Sequence, residues 1–247
     1  MKTVLIDTHC HLHDRDFFTE AQAEEMLKRA REKGIEKIVC IGTTPEDSVA
    51  AQKFANAHEN VYWTYGVHPS EKNTKNLFEK DDKLVAIGEV GLDYHYGNDH
   101  DRQIKLFKEM LELAKENNLP VVFHIREAFD DFFEIIKDYP EIKGIVHSFS
   151  DSKKNLKKVL EQTDFYIGVN GLATYSTLPT PPLDRTLLET DAPFLTPVPF
   201  RGIINESGYI REIAEWLAAK LATNFDQVEK ETTSNAEKIF EFEKTDC

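Results

Sequence analysis

LVAIGEVGLDYHYGNDHDRQIKLFKEMLELAKENNLPVVFHIR, residues 84–126, decides the fold. It opens on the apolar run LVAIG at 84–88 and closes on PVVFHI at 120–125. Both runs are far below the roughly 20 residues needed to cross a bilayer, and both read as strands buried on two faces. Across 101–117, Ile104, Phe107, Leu111 and Ala114 recur at three- and four-residue spacing, the single apolar stripe of a helix lying on a sheet. Strand, helix and strand in succession form the repeating unit of a parallel sheet.

The same alternation extends outward: VLID at 4–7, KIVCIG at 37–42 and VYWTYG at 61–66 precede this unit, while GIVHSF at 144–149, FYIGV at 165–169 and TLLET at 186–190 follow it. Helix starts are written between them. Thr19 with Gln22 has the spacing of a capping box, and Thr44 followed by Pro45 reads as an N-cap with proline at the first helical position. Two further helices, about 206–222 and 226–241, follow the last strand. Eight near-continuous apolar strands predict an α/β fold closed as a TIM-type (β/α)8 barrel with extra C-terminal helices. An open doubly wound sheet is the competitor, but no GxGxxG follows the first strand and no GxxxxGK[ST] occurs. With no repeat, low-complexity tract or linker, residues 1–247 read as one domain.

The chain has 30 Lys+Arg against 44 Asp+Glu, a net charge of −14, so a basic face gripping duplex phosphates is not expected. Such a charge favours solubility and a monomer. The three cysteines, Cys10, Cys40 and Cys247, form no spaced framework, and no basic segment, apolar stretch and cleavage site follow Met1. A reduced, cytoplasmic setting without membrane attachment is the expectation.

Polar residues collect where the apolar runs end. The first strand leads into Thr8, His9, Cys10 and His11, and the strand period of two puts both imidazoles on one side, as a shared metal ion requires. Glu89 follows LVAIG, His124 follows PVVF, His147 follows GIV, and Asp191 follows TLLET. Singly, each has a structural explanation: a carboxylate facing a helix dipole for Glu89, satisfied core histidines for His124 and His147, a turn residue for Asp191. Together they place nitrogen and oxygen donors at the C-terminal mouth of one barrel, where barrel active sites lie.

These residues also carry a resemblance. IDTHCHL at 6–12, GVHP at 66–69, GEVGLDY at 88–94, HIR at 124–126, HSF at 147–149 and ETDAP at 189–193 resemble, in order, the motifs of TatD-family metal-dependent deoxyribonucleases; PVPFRG at 197–202 and Asn205–Glu206 extend the match. The resemblance implies a barrel with two divalent ions, His9, His11, Glu89 and Asp191 around one and Glu89, His124 and His147 around the other, Glu89 bridging. The chain departs from the family between the seventh and eighth strands. Only about 15 residues, three of them proline, separate Val169 from Arg185, so a shortened connection is expected there, altering one wall of the site. Serine stands at 148 where family members often have cysteine, and it alternates away from His147.

The expected chemistry is phosphodiester hydrolysis by a water activated between two metals, with Asp191 and Glu89 catalytic and Asp191 receiving the proton. Magnesium, manganese, zinc and nickel all suit donors without thiolate. Arg126, His68 and Arg201 are candidates for phosphate, against a surface salt bridge for Arg126 and a loop-capping role for His68. Asp7, Asp93 and Glu189 are candidate acceptors for imidazole N–H groups, with interior salt bridges as the rival for Asp7 and Glu189 and a loop cap for Asp93. Trp63, Tyr65, Tyr94, Tyr96 and Phe149 could stack bases or pack the core and rim. Cys10 reads as packing. DNA ends or single strands are the expected substrate, attacked exonucleolytically, with no obligate protein partner. A small-molecule or aminoacyl-ester hydrolase, or a non-catalytic metal-binding barrel, are the alternatives.

Overall fold

A computed structural model describes residues 4–72, 75, 77–95 and 99–242. Tyr96 and Cys247 lie outside the described residues. Eight strands, β1 (Leu5–Cys10), β2 (Ile35–Cys40), β3 (Val61–Tyr65), β4 (Leu84–Asp93), β5 (Val121–Arg126), β6 (Gly144–Val146), β7 (Tyr166–Val169) and β8 (Thr186–Leu188), pair in that order. Every pairing is parallel. The ring closes where β1 meets the segment after β8: Asp191 N–H donates to the His9 carbonyl and His11 N–H to the Ala192 carbonyl, each at 2.8 Å. The expected (β/α)8 barrel is therefore the fold.

Helices α1 (Glu20–Glu32), α2 (Pro45–Ala57), α3 (His100–Asn117), α4 (Phe129–Ile136) and α5 (Lys153–Gln162) join successive strands. Thr19 and Gln22 form the capping box, and Thr44 caps α2 with Pro45 in its first turn. Two apolar layers result. Helix faces pack on the outside of the strands, while a second cluster draws a residue from every strand, from Ile6 on β1 to Leu187 on β8. Ile239 and Phe240, from the C-terminal helix α7 (Phe225–Phe240), join that inner cluster. A cluster fed by all eight strands lies within the ring, so α7 floors the barrel.

Several boundaries differ from the sequence expectation. β4 runs on to Asp93, and β6 and β8 stop at Val146 and Leu188, leaving His147 and Asp191 in the loops beyond. The helix expected from 206 begins at Ile210 as α6 (Ile210–Lys220), after a 3-10 turn at Ser207–Tyr209. Among the described residues no helix joins β3 to β4. Between β7 and β8 two 3-10 turns, Gly171–Thr174 and Leu183–Arg185, replace a full helix, as the prolines at 179, 181 and 182 require. The C-terminal helices cover that flank. Trp216 of α6 faces Leu178, Pro179 and Pro181, and Asn235 of α7 donates to the carbonyls of Leu183 and Thr186 at 3.0 and 2.9 Å. No helix among the described residues is long and apolar enough to cross a membrane.

Candidate metal centre

Strand pairing is irregular where the site is built. β1 slips against β2 between Leu5 and Ile6 and again between Asp7↔Ile38 and Cys10↔Cys40, and β4 breaks step with β5 between Ile87 and Val90, so the site-side breaks fall at 7–10 and 87–90. His9 and Glu89 stand in those two breaks, and irregular pairing is a recurrent means of aiming side chains at sites. Close approach of the backbones helps. A Cβ on Gly66 would lie 2.3 Å from the Glu89 nitrogen, and one on Gly91, whose φ is +149°, would lie 2.0 Å from the His124 carbonyl oxygen.

His9 is wholly buried and neither ring nitrogen has a hydrogen-bond partner. Its Nε2 lies 3.6 Å from Glu89 Oε2 and 3.7 Å from Asp191 Oδ1. His11 Nε2 lies 3.5 Å from the same Asp191 oxygen, and its Nδ1 lies 3.1 Å from the Ile41 carbonyl, an acceptor that puts the proton on Nδ1 and leaves the Nε2 lone pair free. Across the mouth His124 sits between two carboxylates, Nδ1 at 2.5 Å from Glu89 Oε1 and Nε2 at 3.1 Å from Asp93 Oδ2. His147 stacks on His9 with ring centroids 3.5 Å apart. Its Nε2 is 3.9 Å from Glu89 Oε1, and its Nδ1 is 3.0 Å from Glu189 Oε1 but off the line of a hydrogen bond. Among the described residues three donor groups emerge: His9, His11 and Glu89; His9, His147 and Glu189; and His68, Asp93 and His124.

Electrostatics follow from burying acids and imidazoles together. Burial would raise the Glu89 carboxyl, but His147, then His124 and His9, hold it well below the usual range. Burial opposes charge on His147 and His124 as well. For His147 the carboxylates of Glu189 and Glu89 prevail and push it up to about 10; for His124, Asp93 and Glu89 push it up to about 9. His9 goes the other way, lowered by burial and by His147. Positive charge is thus stabilised on His147 and His124, though not on His9, by the surrounding carboxylates, the environment a divalent cation needs. With the two bare nitrogens of His9, this set of nitrogen and oxygen donors fits a metal.

The remaining candidates fall in different places. Glu189 and Asp93 meet imidazoles. Asp7 does not: the break in β1 ends the alternation that would have aligned it with His9, and its carboxylate instead accepts from Thr190 N and Thr190 Oγ1 at 2.9 and 2.6 Å. Burial lifts Asp7 to about 7 against those donors. His68 lies edge-on to His124 at 4.4 Å, its Nδ1 accepts from Ser70 N–H at 3.2 Å, and burial lowers it to about 4. Arg126 is half-buried opposite Asp93 in the β4–β5 register. Arg201 is exposed, with its guanidinium 3.7 Å from the centre of the Tyr175 ring. Trp63, Tyr65 and Phe149 are buried in the core, where no base can reach them, and half-buried Tyr94 stacks on His100. Cys10 is buried beside Cys40.

Sequence reasoning passed over Asn170 and the role of Ser148. Asn170 Nδ2 donates to Glu189 Oε1 at 3.2 Å and to Ser148 Oγ at 2.8 Å, while Ser148 N–H donates to the same glutamate oxygen at 2.7 Å. Ser148 thus holds Glu189 through its backbone, which adopts a φ of +48°. Asn170 had a signal: like Glu89 and His124, it follows an apolar strand run directly.

Buried imidazoles and carboxylates at the mouth of such a barrel are the construction of a metal-dependent hydrolase, and known proteins place the chain in that class. The uncharacterized metal-dependent hydrolase YabD of Bacillus subtilis is 34% identical over 257 residues, covering 96% of this chain and 99% of that one. The 3'-5' ssDNA/RNA exonuclease TatD of Pantoea ananatis is 34% identical over 242 residues, 88% of this chain and 92% of its own. The crystal structure of YJJV, a TatD homolog from Escherichia coli, superimposes with a TM-score of 0.83 at 29% identity, covering 98% of this chain and 99% of its own. Residues 6–241 match the family described as TatD related DNase, and the chain belongs to it.

Proposed function

We propose that the chain hydrolyses phosphodiester bonds as an exonuclease-type deoxyribonuclease, acting on DNA ends or single strands with two divalent cations at the barrel mouth. One observation carries this reading: the two oxygens of Glu89 face different imidazoles, Oε2 towards His9 at 3.6 Å and Oε1 towards His124 at 2.5 Å, so that Glu89 would serve donors on both sides of it. His9, His11 and Asp191 would hold one ion, and His124 and His147 the other. Bound there, magnesium, manganese, zinc or nickel would supply Lewis acidity and a water acidified towards neutral pH.

The chain's own groups divide the remaining work. Asp191 has the most exposed side chain of the cluster's carboxylates, 14% against 6% for Glu89 and 1% for Glu189, so it is the one placed to orient a water at the mouth and take its proton. Neutral His68, in the loop after β3, and cationic Arg126, at the end of β5, would hold phosphate oxygens, and Arg201 would meet a more distant part of the strand. Asp93 would orient His124 through its hydrogen bond to Nε2, and Glu189 would hold His147 by the charge it places 3.0 Å from Nδ1. The relative named as an ssDNA/RNA exonuclease supports single strands as substrate, and the net charge of −14 supports weak affinity for long duplex. The same charge and the thiols of Cys10 and Cys40 support a single-domain monomer in the cytoplasm.

The test is cleavage of end-labelled single- and double-stranded DNA after EDTA treatment, with magnesium, manganese, zinc or nickel restored. Progressive shortening from one end, lost in Glu89→Ala and in Asp191→Asn, is the expected outcome. No cleavage despite bound metal would overturn the nuclease assignment in favour of a small-molecule hydrolase.

A further inference from the structure

The large apolar side chains exposed among the described residues are Phe17, Phe194, Val198, Ile203 and Ile204. They gather on one rim. Phe17 lies in the loop leaving β1, and the other four lie in the loop leaving β8. That second loop folds back on itself: Asn205 N–H donates to the Pro193 carbonyl, Asn205 Nδ2 to the Phe194 carbonyl, and Thr196 Oγ1 to the Ile203 carbonyl. Phe17 and Phe194 are each 46% exposed and meet edge to face, with centroids 5.1 Å apart and planes at 84°. Such a pair leaves at least one face of each ring uncovered by the other. Phe194 in turn lies 6.3 Å from the ring of His11, and its N–H donates to the Asp191 carbonyl at 2.8 Å.

We propose that Phe17 and Phe194 form a stacking subsite for the unpaired nucleobase of the nucleotide whose phosphate is cleaved. The assignment rests on the nuclease reading above. A base is one sugar removed from its phosphate, so a phosphate held at the mouth beside His11 and Asp191 brings its own base to this rim. The net charge of −14 gives the surface little means of holding a strand by its phosphates. Stacking is a grip that needs no positive charge and accepts any base, because every base has a π face. Two flat rings with uncovered faces beside the donor cluster fit a planar base better than a flexible lipid chain. A base paired in duplex keeps its faces covered by its neighbours, so the subsite also selects for frayed or single-stranded ends.

The experiment compares wild type, Phe17→Ala, Phe194→Ala and Phe194→Tyr on two single-stranded oligonucleotides, one with a normal terminal nucleotide and one ending in an abasic tetrahydrofuran residue. Metal-free binding of both is followed by fluorescence anisotropy. Both alanine variants should lose about five- to a hundredfold in kcat/KM and in affinity on the normal end, the range expected for one stacked base. They should match wild type on the abasic end, and Phe194→Tyr should retain wild-type behaviour. Equal losses on both substrates would assign the rings to loop packing and overturn the proposal, as would alanine variants that cleave and bind like wild type. If wild type cleaves neither oligonucleotide with metal restored, the nuclease reading falls and this proposal with it; cleavage without dependence on the rings removes the subsite alone.

Discussion

Gly168 is a glycine because Glu189 occupies the space a side chain would need: a Cβ there would lie 2.3 Å from Glu189 Oε2. Gly168→Ala should therefore cost about 1–3 kcal/mol, the range for overpacking, and push Glu189 off His147. Thermal unfolding and metal content after dialysis would read both effects; unchanged values of both would show that Glu189 has room to move. Single residues were legible in the sequence where a polar side chain directly follows an apolar run, which is why His124, His147, Glu89 and Asp191 could be named together. Asn170 obeys the same pattern, but asparagine at a strand end reads equally as a turn. Asp7 was aligned with His9 because the period of two assumes an unbroken strand, and register breaks leave no mark in the local sequence. Phe17 and Phe194 were missed because a phenylalanine's exposure depends on which loop covers it.

At the scale of elements, Asp81 ties α2, β3 and the entry to β4 together. Its carboxylate accepts from Trp63 Nε1, Gln52 Nε2, Asn56 Nδ2 and the Lys83 backbone at 2.8 to 3.0 Å. Burial would raise this carboxyl, but the Asn56, Trp63 and Gln52 donors hold it below its ordinary 3.8. A depressed carboxyl contributes stability that is complete above 3.8 and is lost as the pH falls through its lower folded value. Asp81→Ala, which leaves the buried Trp63 N–H without its acceptor, should cost about 1–3 kcal/mol at pH 7 in urea unfolding. The gap between variant and wild type should narrow towards pH 3, and a gap that stays constant would contradict the assignment. Among the connections, the β7–β8 segment was readable because proline excludes a helix whatever the surroundings. The β3–β4 segment was harder: absence of an apolar stripe is a weaker signal than presence of a breaker.

On the scale of the whole molecule, ladder pairing runs unbroken from β1 to β8, but the last junction is made by the loop after β8. There Asp191 and Ala192 bond to the backbone of His9 and His11, and Thr190 bonds to Asp7. The proposed ligands His9, His11 and Asp191 thus stand on both sides of the seam, and a cation held between them would join the first and last strands. Metal saturation at about 1,000 times its dissociation constant would add about 4 kcal/mol of stability. For a chain of this size that raises the melting temperature by about 8–16 °C over the EDTA-treated protein. Calorimetry with and without metal would show the rise, and equal melting temperatures would mean that the seam holds without the ion. An ion bound at the seam would also tie the protein's persistence in the cell to its mineral supply. Each kcal/mol lost enlarges the unfolded fraction about fivefold, and that fraction is what proteases remove. Copies starved of metal would be degraded soonest, so scarcity would reduce the amount of enzyme as well as the activity of each copy.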